Sequence, residues 1–278
     1  MKNYLKLLNF EINRFSKLYF LMLAIIFSVQ LISVFYHIFS YLAFVKMETK
    51  GGRMTPEQFL AEHFPFGLSN VFYTRGFLIP ILIGVVGLIL YVFFIWYRDW
   101  MARNTFIYRL LMLPTSRMNI FYAKLSAIML FVLTTVGIQL IFLVLYKKII
   151  EWFIPVVYRD DLSITMAVVT SPYLNTIVPA HLSSFFVAYG LGLAAVIVVF
   201  TAILFERSFQ LVGILYGLLY AVFSFVLFSL PLVVQLLMFE TLYLYADEMF
   251  ILMTAIVIGI IVVSLLTSRY LLNHKVSV

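Results

Sequence analysis

Long apolar runs separated by short charged clusters set the pattern of this chain. Residues 76–97 and 249–268 carry no charged side chain, and runs of ~20 residues at ~1.5 Å each match the ~30 Å hydrocarbon layer of a bilayer. Read in the same way, the chain predicts an all-α integral membrane fold with six transmembrane helices, at about 18–44, 76–97, 120–146, 184–205, 209–230 and 249–268, in one domain over 1–278. Ahead of the first span, Leu5, Leu8, Ile12 and Phe15 recur at three- and four-residue steps, with Lys2, Lys6, Asn9, Asn13, Arg14 and Lys17 largely turned elsewhere. That pattern predicts an interfacial amphipathic helix over 1–17, lying flat against the membrane lipids and leading into the first span.

Two longer polar stretches interrupt the spans. One, 46–75, carries Gly51, Gly52, Pro56 and Pro65; the other, 147–183, carries Pro155, Asp160, Asp161, Pro172 and Pro179, and its apolar piece Ile149 to Val157 is expected to lie in the interface. A tight turn at 206–208 joins the fourth and fifth spans. After Leu230 the chain stays apolar through Pro231 to Phe239 before it meets Glu240. Such a segment predicts a re-entrant hairpin broken at Pro231, because non-helical backbone at membrane depth is tolerated only where protein buries it.

Composition sharpens this picture. With 64% hydrophobic and 11% charged residues, the chain lies far from the roughly half apolar and quarter charged make-up of soluble domains. No small-residue cleavage pattern follows the first apolar run, so no removable signal peptide is expected. Cysteine is absent, which excludes disulfides and thiolate metal sites. The net charge of +7 is scattered among the spans and forms no basic face, which argues against a nucleic-acid partner. It reads instead as topology. Lys2, Lys6, Arg14, Lys17, Arg98, Arg103, Arg109, Arg117, Lys124, Arg207, Arg269 and Lys275 fall on one side, against seven on the other, and the richer side is expected to be cytoplasmic, with both termini there.

The chemistry is defined mainly by omissions. No glycine-rich phosphate loop ending in Lys and Ser/Thr occurs, so the chain is not expected to hydrolyse ATP or to act as an enzyme. His37, His63, His181 and His274 lie in different segments, without the spacing of a helical metal site, so neither a metal nor another cofactor is expected on this chain. Well inside the spans the strongly polar candidates are Gln30, His37 and Gln139. Ion-coupled carriers keep a titratable group at mid-membrane. His37 falls toward the outer end of a long span, so energy coupling is expected to enter from outside the membrane.

The segment from Asn104 to Lys124 offers a place for it. Thr105 is positioned to cap a short helix that Pro114 stops, and Phe106, Leu110 and Leu113 share one stripe flanked by Ile107 and Leu111. So short and apolar a helix on the cytoplasmic face requires a groove in a partner or in the headgroups.

In these residues the sequence resembles the type-2 ABC transporter permease family, the membrane subunits of bacterial ATP-driven exporters. That family's coupling helix has the order Thr, several residues, Leu-Leu, a further Leu-Pro, then Ser-Arg and a Lys opening the third span. Thr105, Leu110, Leu111, Leu113, Pro114, Ser116, Arg117 and Lys124 follow that order. The resemblance implies a coupling helix at about 105–114, with Thr105, Phe106, Arg109, Leu110, Leu111, Leu113, Pro114 and Arg117 as the ATPase-coupling residues. It also implies a separate nucleotide-binding ATPase that holds ATP and Mg, a second permease subunit, identical or not, and a place in the bacterial plasma membrane. The cargo is then expected to be hydrophobic or amphipathic, a peptide antibiotic, toxin or lipid-like molecule. The long stretch 147–183 departs from the short turn expected there. The alternative is a non-transport membrane scaffold or assembly subunit whose short helix docks on headgroups.

Overall fold

The computed structural model describes residues 2–50, 54–101, 106–179, 181–237 and 245–276. Among them the order is α1 Lys2–Thr49, α2 Pro56–Glu62, α3 Leu68–Phe72, α4 Arg75–Met101, α5 Phe106–Leu111, α6 Met118–Phe153, a 3-10 turn Val156–Tyr158, α7 Ile164–Thr170, α8 Pro172–Ile177, α9 Leu182–Leu237 and α10 Ala246–His274. The described residues form no strand and a single bridge, Phe66 to Arg159. Five helices, α1, α4, α6, α9 and α10, are long and apolar enough to cross a membrane. Large apolar side chains such as Leu211, Phe223, Phe225, Ile251 and Leu266 stand exposed along α9 and α10. A soluble surface does not carry apolar area on that scale, whereas a lipid-facing one does.

Two expectations need correction. The N-terminal stretch is not a separate element: α1 runs unbroken from Lys2 to Thr49, with no glycine or proline inside it. Of the expected stripe, Phe15 is buried and Leu8 and Ile12 are half-buried. Leu7, Glu11, Phe15, Tyr19 and Leu23 face inward, while Leu5 is exposed. Nor does Pro231 break its helix, which continues to Leu237. Proline removes one backbone donor, and where no water can satisfy the groups freed by unwinding, the helix persists past it. Residues 238–244, the rest of the expected re-entrant piece, lie outside the described residues.

The real break in α9 is at Gln210, which takes φ 55° and ψ −131°. Residues on either side of it fold back on each other. A side chain at Gly213 would meet the carbonyl oxygen of Phe205 at 2.2 Å, and one at Gly217 would meet that of Ala202 at 2.6 Å. Glycine is therefore what permits the two arms of α9 to touch backbone to backbone. Thr201, on the first arm, shares its hydroxyl with Ser268 of α10 at 2.9 Å, and Tyr220, on the second, with Ser264 at 2.6 Å.

By packing the chain forms two compact units. One comprises Met1–Ile12, Ile89–Met129 and Val187–Val278, the other Asn13–Leu88 and Leu130–Phe186. In the second unit the two long polar stretches fold together instead of remaining loose. The Phe66 amide donates to the Tyr158 carbonyl and the Asp160 amide to the Phe66 carbonyl, both at 2.9 Å. Thr55 caps α2 through a reciprocal box with Gln58, and Ser163 caps α7. Phe66, Val71, Phe72, Ala167, Val168 and Leu174 then bury against Val34, Ile38, Leu143, Tyr146, Ile150 and Ile154 of α1 and α6. Ile150 and Ile154 thus belong to a protein core, not to the lipid interface expected for 149–157. Trp152, Val156 and Val157 of that stretch do face outward. In the same unit the Gln139 side-chain amide donates to Oε1 of Gln30 at 3.3 Å and the Tyr146 hydroxyl does so at 3.2 Å. The two glutamines serve as helix-to-helix hydrogen bonds.

Candidate functional site

The segment singled out in the sequence lies in the first unit, where the end of α4, α5, the start of α6, the start of α1 and the end of α10 meet. Its centre is Lys124, whose side chain is fully buried. The ammonium donates to Oε1 of Glu11 at 2.7 Å, to the carbonyl oxygen of Ile95 at 2.9 Å, and to Oδ2 of Asp99. Those three acceptors use all three of its protons. It also lies 5.3 Å from the ring centre of Trp96. Arg98 donates to the other Glu11 oxygen at 2.8 Å. Two carboxylates and two cations cancel, which is what a charged group needs in order to be buried at all.

This cluster was not legible from the sequence, where Lys124 reads as the opening of a span and Glu11 as one acid in a basic segment. The available signal was the apolar surroundings of Asp99 and Lys124. An ionisable residue one or two turns inside an apolar helix has to find a partner. Here Glu11, four residues after Leu7 and four before Phe15, occupies the inward stripe of α1 and supplies it.

The cluster brackets α5. Asp99 stands just before the end of α4 and Lys124 lies one to two turns inside α6, so the ends of the connection are tied together while its middle projects. Thr105 lies outside the described residues, and Phe106 is described only as the helical start of α5. Leu110 and Leu111 are buried, the former 5 % exposed. Leu110, a member of the expected docking stripe, is thus buried within its own chain. The exposed residues are Arg109, Met112, Leu113 and Pro114, with Met112 72 % and Leu113 41 % exposed. Helical periodicity ranked Leu110 with Leu113, but α5 ends at Leu111 and the chain turns, so the two face differently.

Arg117 is also committed within the chain. Its guanidinium donates to the carbonyl oxygens of Leu272 at 2.6 Å and Val276 at 3.0 Å, capping the C-terminal end of α10. Asn119 donates to the Thr115 hydroxyl at 2.6 Å and closes the turn before α6.

A second charged group sits at the bend of α9. Tyr97 donates its hydroxyl to Glu206, and Arg207 lies 4.9 Å from the Tyr97 ring centre and 5.3 Å from that of Trp100. His37 belongs to the second unit, edge-on to Tyr36. No cluster of metal-ligating side chains occurs among the described residues.

Among the described residues these features define an all-helical chain with five helices of membrane-crossing length and a buried ion cluster that joins α1, α4 and α6. No family model, curated protein or solved structure matches it.

Proposed function

We propose that this chain is the membrane subunit of an ATP-driven exporter, in which α5 is the element that receives the push of a separate cytosolic ATPase. The observation that carries the reading is the contrast at the end of α5 and the turn after it, with Leu110 and Leu111 buried while Arg109, Met112 and Leu113 are exposed. An apolar tip on a firmly anchored base is suited to transmitting force. ATP and Mg belong to the partner, since the chain has no phosphate loop. The break of α9 at Gln210, with its arms packed on each other, supports reading that helix as two crossings, which would make six in all. Its basic residues then set α5 and both termini in the cytoplasm of a bacterial plasma membrane. A second copy or a related permease completes the pathway, and the apolar surroundings suit a hydrophobic or amphipathic cargo.

The ion cluster supplies the linkage. Displacement of α5 reaches α4 through Asp99, α6 through Lys124 and α1 through Glu11, so three helices respond together. ATP-driven closure of the partner favours one of two arrangements of this bundle by the difference in its contacts with each.

The test uses the exposed tip. Burying Met112 or Leu113 in an ATPase cleft contributes about 1.5–3 kcal/mol per side chain. Met112→Asp combined with Leu113→Asp is expected to abolish co-purification of the ATPase while the chain still inserts and elutes as a folded species. Unchanged recovery of the ATPase overturns the assignment of α5.

A further inference from the structure

α10 is gripped over only part of its length. The buried residues of the helix and its tail run from Ile260 to Val276, whereas every residue from Asp247 to Gly259 is exposed or half-buried. Within the gripped part Ser264, Ser268 and Leu272 follow at four-residue steps, which sets them on one face over about 12 Å at ~1.5 Å per residue. All three are 2 % exposed or less.

That face touches three other elements. At its C-terminal end Arg117, in the turn between α5 and α6, donates to the carbonyl oxygens of Leu272 and Val276. The amides of Lys275 and Val276 both go to the Leu271 carbonyl at 3.0 Å, so the Leu272 carbonyl, which a continuing helix would offer to Val276, is left to Arg117. About one turn further in, the Ser268 hydroxyl pairs with Thr201 of the first arm of α9. Ser264 holds both arms. Its carbonyl accepts from the Thr201 hydroxyl at 3.4 Å, and its hydroxyl pairs with Tyr220 of the second arm. In apolar surroundings such hydroxyl bonds are specific attachments between helices, because lipid tails are as apolar as the side chains they replace.

The same helix is also a wall. Val257 and Ile260 line a cavity of about 370 Å³ whose other sides include Leu191 and Val198 of the first arm and Ala221 and Phe225 of the second.

We propose that α10 is a lever joining the turn after α5 to both arms of α9, with Arg117 as the positioning residue at one end and Ser264 as the fork. Displacement of the turn shifts α10 and, with it, one wall of the cavity. The half of α10 without buried residues has little packing to resist that motion. The ion cluster ties together α1, α4 and α6, and the Arg117 bonds extend the linkage to α9 and α10. As a step of transport the inference rests on the reading of α5 as the element that an ATPase pushes, but the linkage itself is a property of this chain. A cap confined to the end of α10 is the simpler role for Arg117, and the two differ in how far the loss of the arginine is felt.

The experiment takes the full chain in nanodiscs and measures distances between spin labels by double electron–electron resonance, on cysteine pairs added to a chain that has none. Val187→Cys with Leu230→Cys spans the two arms, and Tyr122→Cys with Asn273→Cys reports the end of α10, all four at exposed positions. Each pair is expected to give one narrow distance in the otherwise unchanged chain. Arg117→Ala is expected to cost both pairs that narrow distance, and Tyr220→Phe to cost it for the arm pair alone. Should Arg117→Ala not fold, Arg117→Lys, which offers a point charge in place of a planar fork, is read in the same way. Loss confined to the α10 pair makes Arg117 a local cap and overturns the lever, as does no change in either pair. An arm pair unchanged by Tyr220→Phe overturns the fork at Ser264. Because no ATPase is present, an overturned lever leaves the assignment of α5 standing, and failure of that assignment in co-purification leaves the lever standing.

Discussion

Lys124 shows how one buried charge depends on its neighbours. Each of its protons has an acceptor, and the attraction of two carboxylates offsets a desolvation cost of several kcal/mol. Removing the lysine alone leaves Asp99 and Glu11 facing each other in an apolar environment. Lys124→Met is therefore expected to lower stability by about 3–5 kcal/mol, read as thermal unfolding of the detergent-solubilised chain. Pairing it with Asp99→Asn removes one charge of each sign and leaves Glu11 bonded to Arg98. That double variant is expected to be more stable than Lys124→Met alone, by ~1.5 kcal/mol or more. A double variant less stable than the single one shows that Lys124 is held by something other than these carboxylates. The same logic explains why the site was only partly readable from sequence. Thr105 to Pro114 announces a short helix by its cap, its leucines and its proline, but which leucine turns inward is decided by tertiary packing, which local periodicity does not carry.

At the scale of elements, the long helices were legible because the lipid imposes a length and a composition that no soluble element needs. Their ends and interruptions were not. Proline at 231 is a strong local breaker, yet the helix passes through it, while the turn expected at 206–208 falls at Gln210, which takes the conformation of a glycine. The bend is imposed by packing. Close approach at Gly213 and Gly217 brings the arms together, and the residue at the corner must accept a positive φ. Such backbone strain costs of order 1–3 kcal/mol in a non-glycine residue. Gln210→Gly is accordingly expected to stabilise the chain, by about 0.5–1.5 kcal/mol after the added freedom of the unfolded chain is subtracted, and Gln210→Val to destabilise it. Thermal melts of the two variants decide the matter, and a lower melting temperature for Gln210→Gly refutes strain at the corner. The loops were misread for a related reason. Polar composition suggested open connections, but Phe59, Phe66, Phe72 and Leu174 within them are buried, and single apolar residues among prolines and acids leave no periodic trace.

For the whole molecule, the contacts group the non-membrane segments into two sets. Phe66 pairs with Tyr158 and Asp160, which joins the stretches 54–72 and 154–181. Arg117 bonds to Val276 and Lys124 to Glu11, which joins the region after α5 to the two ends of the chain. The members of each set therefore lie on the same side of the membrane. That agrees with the grouping obtained by counting basic residues, a different line of argument. By sequence, twelve of the 19 Lys and Arg fall on the side of α5, which is the basis for its proposed cytoplasmic placement. The orientation can be tested without removing native thiols, since the chain has no cysteine. Good probe sites are set by exposure. Phe59 is fully buried, so labelling there would report packing, whereas Phe64 is 87 % exposed and Val157 is also exposed. Phe64→Cys and Val157→Cys are expected to react with an impermeant maleimide added to intact cells. Met112→Cys and Asn273→Cys are expected to react only after the membrane is opened. Labelling in the reverse sense sets α5 outside, beyond the reach of cytosolic ATP, and removes the basis for coupling. Labelling of Met112→Cys and Phe64→Cys from the same side in intact cells contradicts an odd number of crossings between them and, with it, the reading of α4 as a membrane span.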